Sequence, residues 1–270
     1  MVFVLKIPVK NAIMSKGRFL QILIGKVVKM RAFIHAFEGK PWNEECRAAK
    51  NGFSQLGIEC ILSSSNEELD KRKPEDVVVG GMLIMSHVLA ERNIITDNYN
   101  YPDSIKGYCE RKIWTIRLSE LEKQPFPIFI KPVEEKRAKG IVLHNMGDLS
   151  DEYQQLSPET EILCSEALIF QSEWRCFVRY NEILGIRCYA GDSSKTCDMN
   201  IIVRAVQECK ELPAGCSLDF GVTDDGRTVL IEMNDGFALG CYGLNDELYA
   251  KLLSARWAEL NGTIDALADM

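Results

Sequence analysis

The stretch CSLDFGVTDDGRTVLIEMNDGFALG, running from Cys216 to Gly240, decides how the rest of the chain is read. Leu218, Phe220 and Val222 alternate with polar or small residues before an Asp-Asp-Gly turn, and Val229, Ile231 and Met233 alternate after it. Period-two alternation on both sides of a turn is the pattern of a β-hairpin. With Asp225-Gly226 as a two-residue loop, Val222 faces Val229, Phe220 faces Ile231 and Leu218 faces Met233, so apolar meets apolar throughout. The same register sets Asp219 opposite Glu232 and Ser217 opposite Asn234. A three-residue loop would move Asp219 onto the apolar face, so the pattern itself selects the register.

Directly opposed residues have Cβ atoms about 5 Å apart, and like charges at that distance are destabilising unless a cation neutralises them. Asp, Glu and Asn offer hard oxygen ligands, which suit Mg²⁺. Magnesium held by few carboxylates shares its shell with substrate phosphates. A solvated face on which the carboxylates splay apart accounts equally well for this stretch taken alone, so other segments must decide.

Composition sets the frame. The chain has 270 residues, 46% of them hydrophobic, enough for a sizeable core and for two packed units. A net charge of −7 argues against a general nucleic-acid binder. The ten cysteines show no CxxC pair and no zinc-site spacing with histidine, and they fall in apolar runs, which reads as buried, reduced thiols in a cytoplasmic protein. His35, His87 and His144 are scattered, without a nucleophile motif that would suggest a hydrolase triad.

Residues 1–29 carry six basic and no acidic residues. Their apolar run, Phe19 to Ile24, is too short to span a membrane. The segment lacks the serine richness of a transit peptide and the small-residue cleavage site of a secretory signal. It reads as an extension without catalytic duty, ahead of an alternative start at Met30. From there strands and helices alternate. Ala32–Phe37, Ile58–Leu62 and Val77–Val79 read as strands, and Asn43–Leu56 and Met82–Arg92 as helices. Cys46, Ala49, Phe53 and Leu56 form one stripe on the first helix, with Asn43 to cap it and Gly57 to end it. Gly80-Gly81 reads as a tight strand-to-helix turn.

A second unit begins near residue 97. Phe126 to Ile130 reads as a strand that delivers Lys131, followed by a basic, glycine-terminated loop with Lys136, Arg137 and Lys139, then a strand from Ile141 to Leu143. That loop is equally readable as a polyphosphate cover or a solvated turn. Residues 148–162 read as an acidic surface helix. Cys164 to Phe170 reads as a strand or hinge. Glu173 to Ala190 is a second hairpin with Arg175, Phe177 and Arg179 on one face, and residues 200–210 and 245–260 are helices.

The order of these parts, with the segments FIKPVEEKRAKG, SEWRCFVRYNEILGIRCYAGD and LDFGVTDDGRTVLIEMNDGFALGCYGL, resembles the ATP-grasp superfamily. More narrowly it is similar to a divergent clade of bacterial and phage ATP-grasp proteins, thought to be related to the eukaryotic assembly factor for translation initiation factor 2. The resemblance implies an α/β (α+β) chain with an ATP-grasp fold and a Rossmann-like leader domain. It divides the chain into the extension 1–29, a leader domain 30–96, and an ATP-grasp domain 97–270 with subdomains of about 97–163 and 164–270. It implies that Lys131 contacts the α- and β-phosphates of ATP and that Lys136 lies on a mobile loop above them. Glu166, Ala167 and Leu168 would form the hinge for ribose and adenine. Arg175 would face the transferring phosphoryl group or its acceptor, and Asp219, Glu232 and Asn234 would bind Mg²⁺. Ala138 and Lys139 depart from the pattern, where an aromatic and a small hydroxyl residue are expected.

The activity so implied is an ADP-forming carbon–nitrogen ligase that works through an acyl phosphate on small-molecule or peptide carboxylates and amines, with a protein substrate also open and neither nucleic acid nor membrane as partner. Phosphoryl transfer needs positioning and charge neutralisation rather than a nucleophilic side chain, so the lack of a catalytic Cys, Ser or His is no obstacle. A non-catalytic ATP-binding assembly factor needs the same nucleotide site, as does a kinase that stops at a phosphorylated product. Glu173, Arg179, Arg187, Asp192, Asp235, Phe237 and Tyr242 flank the site elements and are candidates for the acceptor pocket.

Overall fold

A computed structural model describes residues 30–96, 99–134 and 137–270. The expected extension 1–29 and Lys136 lie outside the described residues. The first sheet places β1 (Arg31–Phe37) at its centre. The short β2 (Lys40–Pro41) turns back antiparallel on its end, and after α1 (Glu44–Gln55) the strand β3 (Glu59–Ser63) pairs parallel to β1. A single turn, α2 (Asn66–Leu69), leads to β4 (Val77–Val79), parallel to β1 on its other side, and then to α3 (Met82–Glu91). Strands and helices thus alternate over this stretch as the sequence pattern predicts. Asn43 caps α1 by accepting from the Cys46 N–H at 2.9 Å, and Gly57 leaves the helix with φ +75°.

The second sheet is wholly antiparallel, in the order β5 (Ile113–Arg117), β8, β6 (Ile128–Pro132), β7 (Ile141–Leu143). Before β8 (Glu161–Glu166) the acidic stretch expected as a surface helix forms only one turn, α4 (Asp151–Gln154). Tyr153 is the reason. Its ring is fully buried and its hydroxyl donates towards the carbonyls of Ile130 (3.1 Å) and Lys139 (3.0 Å), which pins the segment to the sheet.

The third sheet holds β9 (Phe170–Arg179), β10 (Glu182–Gly191), β11 (Gly215–Thr223) and β12 (Thr228–Asp235), in the order β10-β9-β11-β12. Between its two hairpins lies α5 (Met199–Glu208), and α6 (Asp246–Asn261) follows. Both faces of this sheet are buried. Cys176, Val178, Leu218 and Phe220 form a core with α5, while Phe177, from the opposite face, joins the core of the first sheet. The second sheet has a core of its own around Leu121, Ile130 and Tyr153.

Helix α6 does more than cap the end. Instead of one apolar stripe it buries almost every residue from Tyr249 to Ala258, because it fills the space between the first sheet and the loop after β12. Its approach to α1 is close enough that a Cβ on Gly52 would stand 1.9 Å from the Asp246 carbonyl oxygen and 2.9 Å from the Ala250 Cβ. Gly52→Ala is therefore expected to destabilise the fold. The gain of about 1 kcal/mol in helix propensity is outweighed by the overpacking cost of about 1–3 kcal/mol or more, since a backbone atom must move. A urea midpoint equal to that of wild type would refute this reading.

All ten cysteines are free thiols, eight of them buried. Burial pushes Cys46 and Cys197 up to about 11 and Cys164 and Cys176 up to about 12, so they act as apolar filling rather than nucleophiles. Among the described residues no helix is long and apolar enough to cross a membrane.

Candidate active site

The hairpin of β11 and β12 places Asp219 opposite Glu232 and Ser217 opposite Asn234, as its alternation predicts, but by another route. The loop is Asp224-Asp225-Gly226, three residues long, closed by the Thr223 N–H donating to the Arg227 carbonyl at 2.9 Å. That pairs Val222 with Thr228 and Phe220 with Leu230. Ile231 is then an extra residue, a β-bulge, and it restores the register of everything beyond. Arg111 holds the bulge, donating to the carbonyls of Leu230 (2.7 Å) and Ile231 (2.8 Å).

Pairing across β10, β9, β11 and β12 sets four charges in one row: Arg187, Arg175, Asp219 and Glu232. Two cations stand beside two anions. Arg175 grips Asp219 in a fork, Nε to Oδ1 at 2.9 Å and an Nη to Oδ2 at 2.7 Å, with the pair almost wholly buried. The Asn234 amide donates to the same Asp219 Oδ2 at 3.0 Å. Burial raises the pKa of the Asp219 carboxyl, and the Arg175 guanidinium pulls it back. For Arg175 burial opposes the charge, but the bonds to Asp219 outweigh it and the pKa rises.

Glu232 is neutralised from the second sheet. Lys131, carried within β6 rather than after it, donates to Glu232 Oε2 at 2.7 Å and to Asn100 Oδ1 at 2.6 Å. Lys131 also stands 5.2 Å from the centre of the Tyr101 ring. The like-charged pair of carboxylates is thus balanced by one arginine and one lysine from two different sheets. Lys131, Arg175, Glu232 and Asn234 line a single cleft of about 330 Å³, bounded on its far side by the loop Phe237–Gly240 and by Tyr242.

A second cavity of about 300 Å³ continues from Glu232 along the seam between the two sheets. Phe129, Val142 and Phe170 give it apolar walls, and Glu166 and Leu168 lie at its edge. The Glu166 carboxylate accepts from the Lys112 N–H at 2.9 Å, which ties the crossing between the sheets to the start of β5. Ala167 is half-buried between these two residues.

The flanking candidates divide. Tyr242 stacks on Tyr189 with ring centres 5.1 Å apart, and Arg175 lies 4.8 Å from the Tyr242 ring. Burial, with the Asp219 and Glu173 carboxylates nearby, pushes the Tyr189 phenol up, so it stays protonated and donates to Glu173 at 2.7 Å. Arg187 donates to the Gly243 carbonyl, and Asp192 is exposed beyond β10. Arg179 lines none of these cavities, whereas Asp235 lines the cleft but turns its carboxylate to an internal partner. Arg179 is buried against Asp265 (2.9 Å) and the Leu267 carbonyl, and Asp235 is paired with Arg256 at 2.7 Å, both serving the packing of the C-terminal segment. Asn100, Tyr101 and Arg111 belong to no motif legible in the sequence, the dense run Tyr99-Asn100-Tyr101 being the one local hint, and Tyr189 lies in the second-hairpin segment without being singled out there.

The oxygens of Asp219, Glu232 and Asn234 fit a hard cation such as Mg²⁺ in kind. They do not make a cage: among the described residues no three of His, Cys, Asp and Glu come together to hold a metal. Such a set suits a cation that completes its shell with a ligand's phosphate oxygens.

This three-sheet arrangement is the ATP-grasp fold. It is shared with an L-amino acid ligase from Bacillus licheniformis (TM-score 0.53, 11% identity, 87% of this chain and 76% of that one) and with the D-cycloserine synthetase DcsG (0.53, 11%, 84% and 99%). The N5-carboxyaminoimidazole synthetase from Staphylococcus aureus matches similarly (0.51, 9%, 88% and 78%). At these identities the likeness is one of fold. The chain belongs to the ATP-grasp domain family, in the second family of its clade, whose model matches residues 108–252, just over half of its length. No protein with a curated description matches the chain.

Proposed function

We propose that the chain binds Mg-ATP along the seam between the second and third sheets and spends it to join a carboxylate to an amine. The observation that carries this is the convergence of Lys131, Glu232, Asn234 and the Asp219–Arg175 pair in one cleft, contiguous at Glu232 with an apolar cavity edged by Glu166 and Leu168. In this reading adenine and ribose occupy the apolar cavity against Glu166, Ala167 and Leu168, and the phosphates reach Lys131. Lys136 covers them. Asp219, Glu232 and Asn234 hold Mg²⁺, which would supply neutralising charge to the phosphate oxygens. Residues 30–96 act as a leader domain that walls the acceptor side, and residues 97–270 form the nucleotide-binding unit.

Arg175 is fixed by Asp219 and stacked near Tyr242, so it presents a rigid positive charge to a carboxylate entering the cleft. A carboxylate oxygen attacks the γ-phosphorus and ADP leaves. The amine nitrogen of the second substrate then attacks the acyl carbon, phosphate departs, and the amine's proton passes to solvent. Comparable ligases appear among the proteins that share the fold, which supports the class of reaction.

The test is ADP release from Mg-ATP by the full chain, with and without a desalted pool of amino acids and peptides. ADP that depends on the pool is expected. Tight binding of Mg-ATP with no ADP under either condition would defeat the ligase reading and favour an ATP-binding assembly factor. ADP that depends on the pool but yields a stable phosphate ester would favour a kinase.

A further inference from the structure

The anions of the cleft already have cations of the chain's own. Asp219 accepts two bonds from Arg175 and one from the Asn234 amide, and Glu232 accepts from Lys131 at 2.7 Å. Asp235, on the cleft wall beside them, is held by Arg256. The charges of Lys131, Arg175, Asp219 and Glu232 therefore cancel. A divalent cation arriving by itself meets a neutral site, and to reach a carboxylate oxygen it must displace an ammonium or a guanidinium.

The two pairs differ in how readily they part. The Arg175 and Asp219 side chains are 9% and 2% exposed and locked in a fork, whereas those of Lys131 and Glu232 are 15% and 27% exposed and open to the cleft. Lys131 also has a second acceptor, the Asn100 Oδ1 at 2.6 Å. Asn100 is itself fixed to the third sheet, because its backbone carbonyl accepts from the Met233 N–H at 2.9 Å, between Glu232 and Asn234 on β12. An amide oxygen is a neutral acceptor, so it holds the Lys131 ammonium without cancelling its charge. When Lys131 leaves Glu232, Asn100 keeps it at the cleft wall with its full charge available to an anion.

We propose that Lys131 is an exchangeable counter-ion that closes Glu232 to divalent cations until a nucleotide's phosphates draw the ammonium away, with Asn100 as the pivot. Asn100 is thus a positioning residue that acts through Lys131. The consequence is an order of binding, in which the metal enters with the nucleotide and not ahead of it. The proposal rests on the nucleotide reading above and concerns the regulation of that same site.

The test uses Mn²⁺ as the probe, its binding to the full chain without nucleotide being read from the loss of the free-ion EPR signal. Lys131→Met, Lys131→Met with Glu232→Gln, and Asn100→Leu are run beside wild type, each with a melting temperature as a check on folding. Calorimetry gives the affinity of wild type and Asn100→Leu for a non-hydrolysable ATP analogue in the presence of Mg²⁺. Lys131→Met is expected to bind Mn²⁺ about tenfold or more tightly than wild type, and the double variant to lose that gain. Asn100→Leu should exclude Mn²⁺ as wild type does, yet bind the analogue about tenfold more weakly, a split that a purely structural role would not produce. Wild type binding Mn²⁺ as tightly as Lys131→Met, a gain that survives in the double variant, or wild-type affinity for the analogue in Asn100→Leu would overturn the proposal. Failure of wild type to bind the analogue would instead defeat the nucleotide reading, while a Glu232-dependent gain of Mn²⁺ in Lys131→Met would still uphold Lys131 as the counter-ion.

Discussion

Asp219→Ala is expected to lose both activity and stability. Asp219 is 2% exposed and accepts two bonds from Arg175, so the substitution leaves a buried guanidinium without its counter-charge. Breaking such a pair by removing one partner costs about 3–5 kcal/mol, a large share of a typical domain's stability. Read as a metal ligand alone, Asp219 would have been removable without harm to the fold. The two roles separate in the double variant Asp219→Leu with Arg175→Met, which replaces both charges by apolar groups. Its urea midpoint should return close to that of wild type while ADP formation stays lost. An Asp219→Ala protein as stable as wild type would show that the fork to Arg175 contributes nothing, and a fully active one would remove Asp219 from the site.

Glu232→Ala should separate the effects in the opposite way. Its side chain is 27% exposed, and its partner Lys131 keeps the Asn100 oxygen as an acceptor. A partly solvated pair of this kind contributes about 0–1 kcal/mol, so folding should be little changed. In the proposed reaction Glu232 stands where the phosphates are neutralised, and losing one such electrostatic contact costs about 10²–10³-fold in kcat. ADP release and a thermal melt on the same preparation decide the matter. An active Glu232→Ala protein would sink the assignment of this cleft as the reacting centre.

The parts legible in the sequence are those written in local alternation and capping. Helix α1 announces itself by Asn43, the stripe through Phe53, and Gly57, and the β11–β12 hairpin by its period of two. The juxtaposition of Asp219 and Glu232 was also legible, although a longer loop and a bulge at Ile231 achieve it, because packing of Leu218 and Phe220 against α5 punishes any register that turns the carboxylates onto that apolar face. What alternation cannot show is which strand lies beside β11. Arg175 meets Asp219 through a pairing forty-four residues apart in the chain, and Lys131 meets Glu232 across two sheets. The same limit explains Arg179, whose charge looks like a pocket residue until Asp265 is found against it, and Asp235, which lines the cleft while its carboxylate is held by Arg256.

Helix α6 returns to complete the core begun by β1, where Phe33, Ala49 and Phe53 share one cluster with Tyr249, Leu252 and Trp257. Recombination between relatives is therefore constrained. A chimera that exchanged residues 30–96 alone would set a foreign helix against α6 at Gly52, where there is no room for an additional methyl group. The second sheet is the exchangeable cassette, because Leu121, Ile130 and Tyr153 close a core without help from the other two sheets. Grafts that carry β5 to β8 should thus preserve folding while altering the Lys131 side of the cleft, whereas grafts that replace the first sheet must bring α6 with them.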